Sequence, residues 1–204
     1  VVIRSSEFKK VKSYGISIFG DNMAFQNCQV EICENKILSC AKDGIGIKNL
    51  NIKGVVIENN EVSGSSGNGI YLQNILDIVS FSQVLIKGNK IMKSQLYGMV
   101  IMNTGCYSET NEITQNMKGG ILMSDGGEKE YSENFYKQYA LRNIFNCDNI
   151  HQNNDSGVII IGNGKGPIIF NACQLQGNAT NGIYIKQDSA GLTLSTKPSS
   201  SSSP

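Results

Sequence analysis

The side chains able to do chemistry are few and stand far apart. His151 is the single histidine, and the six cysteines (Cys28, Cys33, Cys40, Cys106, Cys147, Cys173) include no Cys-x-x-Cys pair. A zinc site is built from closely spaced Cys or His ligands, and that spacing is missing. A calcium site needs several carboxylates converging on one hard ion. The acidic candidates in the segments of variable length, Asp21, Asp77, Asp125 and Glu128, are scattered over three different arcs. Gly162-Asn163-Gly164-Lys165-Gly166 lacks the Lys-Ser/Thr ending of a phosphate loop and reads as a tight turn. His151 reads as a surface residue. The expectation is therefore no catalytic residue, no metal ligand and no cofactor-binding residue in this segment.

What the sequence does contain is a repeat. Apolar anchors at Ile3, Ile32, Ile57, Ile86, Phe145 and Phe170, with Ser108 in the same role, each precede a glycine by twelve positions. These hinge glycines are Gly15, Gly44, Gly69, Gly98, Gly120, Gly157 and Gly182. Three residues after each anchor stand Ser6, Asn35, Asn60, Asn89, Asn111, Asp148 and Cys173; two further on stand Phe8, Ile37, Val62, Ile91, Ile113, Ile150 and Leu175. Asn and Asp tolerate left-handed backbone and suit a sharp turn between strands. Stacked, their amides would bond along the pile. The hinge glycine is expected to supply a backbone shape that a Cβ would hinder.

Only the distance from hinge to next anchor varies, so one arc of each unit is free to change length. Apolar spacing of period 2 inside each segment excludes helical repeats. A repeating unit of three short strands with one variable arc describes a solenoid.

The pattern apolar-x-x-Asn-x-Ile, six residues, then Gly-Ile-x-Ile resembles the repeat of the right-handed parallel β-helix superfamily. That superfamily includes pectate lyases, polygalacturonases, alginate epimerases and the carbohydrate-binding and sugar-hydrolase-like repeats of certain F-box proteins. The resemblance runs from Val1 to about Leu194 and implies an all-β, single-domain right-handed parallel β-helix of about seven coils with an Asn turn ladder. It carries no activity across. The hydrolases' Asn-Thr-Asp, Asp-Asp, Gly-His-Gly and Arg-Ile-Lys and the epimerases' Asp-Pro-His are absent here, as is an F-box.

Strand alternation then assigns the outer faces. The middle residue of each hinge strand should point outward: Ser17, Gly46, Tyr71, Val100, Leu122, Ile159 and Tyr184. The column before the anchors, Val2, Glu31, Val56, Leu85, Tyr107, Ile144 and Ile169, is also mostly apolar. The column after the Asn turn alternates in sign: Glu7, Lys36, Glu61, Lys90 and Glu112, then Asn149 and Gln174. One face is built for water and two are not. Extended apolar area marks a contact surface, so Val100, Leu122 and Ile159, flanked by Tyr71 and Tyr184, are candidates for binding a protein partner. The competing expectation is that the chain's own long arcs cover them. The longest arc, 124 to 143, holds Tyr131, Phe135, Tyr136 and Tyr139, with a short helix expected over 133 to 141, and these aromatics join the candidates.

Composition adds boundaries. A net charge of +1 over 204 residues gives no reason to expect a nucleic-acid or anionic-membrane partner. Residues 1–194 read as one solenoid domain and 195–204 as a Ser-rich flexible tail. The chain opens inside a repeat, which reads as a fragment of a longer protein. Free cysteines lean to a reducing compartment, against the sequons Asn154-Asp155-Ser156 and Asn178-Ala179-Thr180. The leading expectation is a non-enzymatic scaffold or protein-recognition module of the cytoplasm, suited to a cytoskeletal or ciliary assembly. The alternative is a secreted, glycan-binding or glycan-degrading protein whose catalytic residues lie outside this segment, with Tyr71 and Tyr184 as sugar-stacking platforms.

Overall fold

A computed structural model describes residues 1–20, 24–76, 84–124, 142–162 and 167–186. Every regular element in it is a β-strand, and the strand pairings are parallel. The strands stack into three faces. The anchors lie on β1 (Val2–Arg4), β4 (Ala24–Cys33), β6 (Ile45–Glu58), β9 (Val84–Lys87), β12 (Cys106–Glu109), β15 (Asn143–Asn146) and β18 (Ile168–Asn171). The hinge strands are β3 (Ile16–Phe19), the first half of β6, β8 (Ile70–Leu76), β11 (Tyr97–Met102), β14 (Gly119–Ser124), β17 (Val158–Ile161) and β20 (Ile183–Lys186). The third face is a seven-stranded sheet of three-residue strands: β2 (Glu7–Lys9), β5 (Lys36–Leu38), β7 (Glu61–Ser63), β10 (Lys90–Met92), β13 (Glu112–Thr114), β16 (Asn149–His151) and β19 (Gln174–Gln176). Seven rungs enclose six full turns from Ile3 to Phe170.

The repeat register is the structural register. Ile3, Ile32, Ile57, Ile86, Ser108, Phe145 and Phe170 pair in one unbroken column. Phe145 and Phe170 stack with their rings 4.8 Å apart. The core is a filled tube of mostly Ile and Val from all three faces, with Ile32, Ile37, Ile45, Ile47, Ile57 and Ile70 wholly buried. Because β6 passes from the hinge face to the anchor face without a break, those two faces form one continuous 13-stranded sheet.

The turns correct the sequence reading. The left-handed residue is not the Asn but the one before it: Ser5, Glu34, Asn59, Gly88, Thr110, Cys147 and Ala172 all have φ between 48° and 61°. The Asn beside it is held by a ladder instead. Asn35, Asn60 and Asn89 each send their backbone N–H and their Nδ2 to the Oδ1 of the next rung's Asn, at 2.8 to 3.0 Å. Each Nδ2 also donates to the anchor carbonyl of the rung before, Ile3, Ile32 or Ile57. Asn111 hands the ladder to Asp148, and Cys173 closes it with a thiol aimed at the Phe145 carbonyl, 3.3 Å away.

A second ladder, absent from the sequence reading, runs eight residues after each anchor. Ser94 donates its N–H to Asn116, and Asn116 and Asn153 each donate their N–H and Nδ2 to the next, ending on Asn178. Its left-handed residues are again the preceding ones: Lys10, Ser39, Gly64, Lys93, Gln115, Gln152 and Gly177. A third, short ladder joins Asn49, Asn74 and Asn103, and these asparagines are themselves left-handed.

The hinge glycines are also explained differently than expected. None has positive φ. They are needed for space: a Cβ on Gly44 would run into Val62 and sit 2.8 Å from the Gly69 carbonyl oxygen, and the same crowding recurs at Gly69, Gly98 and Gly120.

Candidate functional site

Among the described residues the outward-pointing side chains stand in columns that the strand pairing fixes. On the hinge face Gly46, Tyr71, Val100, Leu122, Ile159 and Tyr184 stand in register, as expected. Their exposure is not uniform. Val100 is 2 % exposed and Ile159 is 7 % exposed, yet neither belongs to the interior core cluster. Leu122 and Tyr71 are half-buried, and Tyr184 at the last rung is 45 % exposed. The middle of this stripe is therefore not an open surface. Tyr131, Phe135, Tyr136 and Tyr139, and the helix expected beside them, lie outside the described residues.

At the other end of the hinge face is an aromatic cluster that the sequence reading passed over. Tyr14 meets Phe19 edge-on, with centroids 5.4 Å apart and planes at 86°. The rings occupy the space over Gly46, where a Cβ would come within 3.3 Å of Tyr14 Cδ1. The Lys48 ammonium lies 4.2 Å from the Tyr71 ring centroid and 5.6 Å from that of Phe19, and Lys42 lies 4.9 Å from Tyr14. Phe19 remains 51 % exposed. The available signal was a glycine in an outward column with aromatics in the neighbouring rung.

The anchor face carries the longest half-exposed apolar column. Val56, Leu85, Tyr107, Ile144 and Ile169 pair directly over five rungs, about 19 Å at the strand spacing. All five are half-buried. The adjoining column is polar: Lys87 and Glu109 pair at 3.0 Å, Asn146 Nδ2 donates to the Tyr107 hydroxyl, and Asn171 donates to Asn146. The hydrogen bond and charge of Glu109 raise the Lys87 pKa. Near the first rung Arg4 pairs with Glu31.

The third face is the wet one. Glu7, Lys36, Glu61, Lys90 and Glu112 alternate in direct register. Lys90 reaches Glu112 at 3.6 Å, and His151 reaches the other Glu112 oxygen at 3.6 Å. His151 is thus placed on a water-facing sheet beside Thr114.

The buried reactive groups are muted. Burial raises the pKa of the Cys33, Cys40, Cys106 and Cys173 thiols, with Arg4 partly offsetting it at Cys33. Cys28 and Cys147 are exposed, and all six are free. Among the described residues no group of three His, Cys, Asp or Glu could hold a metal, and no helix is long and apolar enough to cross a membrane. The sequon at Asn178 is occupied by structure: Asn178 accepts from Asn153 and donates to the Ile150 carbonyl, while Thr180 donates to Asp155.

No curated protein and no solved structure matches the chain. A family model described as "Right handed beta helix region" matches residues 1–136, two thirds of the sequence. With a parallel stack of seven rungs behind that match, the chain belongs to the right-handed β-helix family.

Proposed function

We propose that this β-helix is a non-enzymatic recognition scaffold that binds protein through the outer anchor face. The observation that carries the reading is the in-register column Val56, Leu85, Tyr107, Ile144 and Ile169, half-exposed over five rungs and bordered by paired charges and amides. An apolar centre with a polar rim is the anatomy of a protein interface, and Tyr107 is the residue type that anchors one. The ladders hold the column rigid, so docking costs little ordering entropy. The hinge face is a weaker candidate than its sequence implied, because Val100 and Ile159 are already buried.

The test compares wild type with Leu85→Glu/Ile144→Glu as bait in native lysate, with circular dichroism checking the fold. A partner captured by wild type and lost by the folded double variant supports the assignment. Equal capture by both, or none by either, removes the anchor face as the interface.

A glycan-binding reading has one observation of its own. Tyr14, Phe19 and Tyr71 present aromatic rings beside Lys48 on the hinge face, an arrangement suited to stacking a sugar ring and pairing an acidic group. Glycan-array binding lost in Phe19→Ala would favour it.

A further inference from the structure

Three Asn-Gly pairs occur in the sequence: Asn68-Gly69, Asn163-Gly164 and Asn181-Gly182. The second lies outside the described residues. In such a pair the glycine nitrogen can close onto the Asn side-chain carbonyl carbon with little hindrance, because no Cβ stands in the way and the backbone is free to turn. The two described pairs sit at the same repeat position, the hinge, yet differ in exposure and in how the side-chain amide and the attacking nitrogen are held.

Asn68 is locked. Its N–H and Nδ2 both donate to Asp43 Oδ1, at 2.7 and 2.9 Å, and its Oδ1 accepts from the Tyr97 N–H. The attacking nitrogen is engaged as well, since Gly69 donates to the Tyr97 carbonyl at 3.0 Å. Asn68 is buried.

Asn181 is exposed, and so is Gly182. The hinge N–H of an inner rung donates to the residue before the next hinge, as Gly120 does to Ser156 and Gly157 to Asn181. Gly182 belongs to the last described rung, and its N–H has no acceptor among the described residues. The Asn181 Nδ2 donates to Ser156 Oγ at 3.2 Å and lies 3.5 Å from Thr180 Oγ1. Those hydroxyls stand beside the amine that would leave.

We propose that Asn181-Gly182 is a site of spontaneous covalent modification that converts Asn181 to aspartate and isoaspartate, while Asn68-Gly69 persists. Gly182 N, losing its proton to solvent base, forms a bond to Asn181 Cγ. The Cγ–Nδ2 bond breaks, ammonia leaves, and a five-membered succinimide results. Water then opens either carbonyl, giving aspartate or the β-linked isoaspartate, with no change of oxidation state. Isoaspartate reroutes the main chain through Cβ and Cγ, which adds one methylene and turns the Asn181 main-chain carbonyl into a free carboxylate. That carbonyl accepts from Gly157 at 2.8 Å and the next one along, Gly182 O, accepts from Val158 at 2.9 Å, so both bonds that hold the rung are displaced. The β17 and β20 register, Val158 against Ile183, cannot survive that insertion intact. In the aspartate product a carboxylate replaces the amide that shares the Ser156 hydroxyl with Asp155.

The experiment ages the purified chain at mildly alkaline pH and physiological temperature. Peptide mass mapping reads each Asn-Gly pair, and methyl transfer from labelled S-adenosylmethionine by a protein-isoaspartate methyltransferase counts isoaspartate. The expected result is product at 181, little or none at 68, and equal reaction of both pairs once the chain is denatured. Gly182→Ala should slow conversion at 181 several-fold without unfolding the protein, since the added Cβ meets only Leu175 Cβ at 3.7 Å. An intact Asn181 after prolonged ageing, or equal conversion at 68 and 181 in the folded protein, overturns the proposal.

Discussion

Asp148 lies directly in line with Asn111, and the two share a one-sided bond. Asp148 Oδ1 accepts the Asn111 N–H at 2.8 Å and its Nδ2 at 2.9 Å, while Asp148 Oδ2 is buried without a partner. At the asparagine positions of the ladder an amide nitrogen occupies that place and donates to the anchor carbonyl of the previous rung, as Asn111 does to Ile86. Burial raises the Asp148 pKa above its ordinary value of 3.8, against the hydrogen bonds from Asn111 that lower it; the Glu109 charge adds to the rise.

The first prediction follows from that pair. A carboxyl whose folded pKa is raised holds its proton more tightly when folded, so folding stability declines as pH rises from 3.8 toward the folded value. Asp148→Asn restores a donor facing the Ser108 carbonyl. It should stabilise the protein at neutral pH by about 1 kcal/mol and flatten the decline over that window. Urea denaturation at a series of pH values measures both.

The ladder itself gives the second. Asn89→Ala strips the acceptor from the Asn60 N–H and Nδ2 and the donor from the Ile57 carbonyl, all in the interior. Each orphaned buried group costs about 1–3 kcal/mol, so a loss of roughly 3 kcal/mol or more is expected. Asn89→Asp keeps the acceptor, and its loss at acidic pH should be smaller. Thermal melts of the two variants compare them.

Crowding at the hinges gives the third. Gly98→Ala drives a methyl into Ile113 and to 2.9 Å from the Gly120 carbonyl oxygen, whereas the methyl of Gly182→Ala makes only an ordinary contact, 3.7 Å to Leu175 Cβ. Overpacking of this kind costs about 1–3 kcal/mol, so the denaturation midpoint should fall for Gly98→Ala and stay near wild type for Gly182→Ala. Equal midpoints would show that the hinge glycine is not there for room.

A fourth concerns modification. Expressed through a secretory pathway, folded protein should carry no glycan on Asn178, because that amide is spent between Asn153 and Ile150. Glycosidase treatment followed by mass spectrometry of the Asn178 peptide reads the outcome.

The register was legible because one buried column repeats a residue class at constant spacing, from Ile3 to Phe170. The second ladder was not, because its column reads Val11, Cys40, Ser65, Ser94, Asn116, Asn153 and Asn178; it is polar in type only from Ser65 on and Asn only in its last three rungs. Turn conformation was misplaced by one residue for a related reason. Glu34, Thr110, Cys147 and Ala172 have little shared preference for left-handed backbone, and stacking between fixed strands imposes it on them. Outward direction at Val100 and Ile159 followed from alternation, but their burial depends on what lies across the sheet, which a local pattern does not encode.

The first two ladders share one polarity, since each asparagine gives its N–H and amide to the rung that follows it in sequence. A chain made from its N-terminus therefore always ends in an unfinished step. The newest rung has donors waiting for an oxygen that has not yet been synthesised. Each added coil supplies the acceptor oxygen that the asparagine of the coil behind it needs.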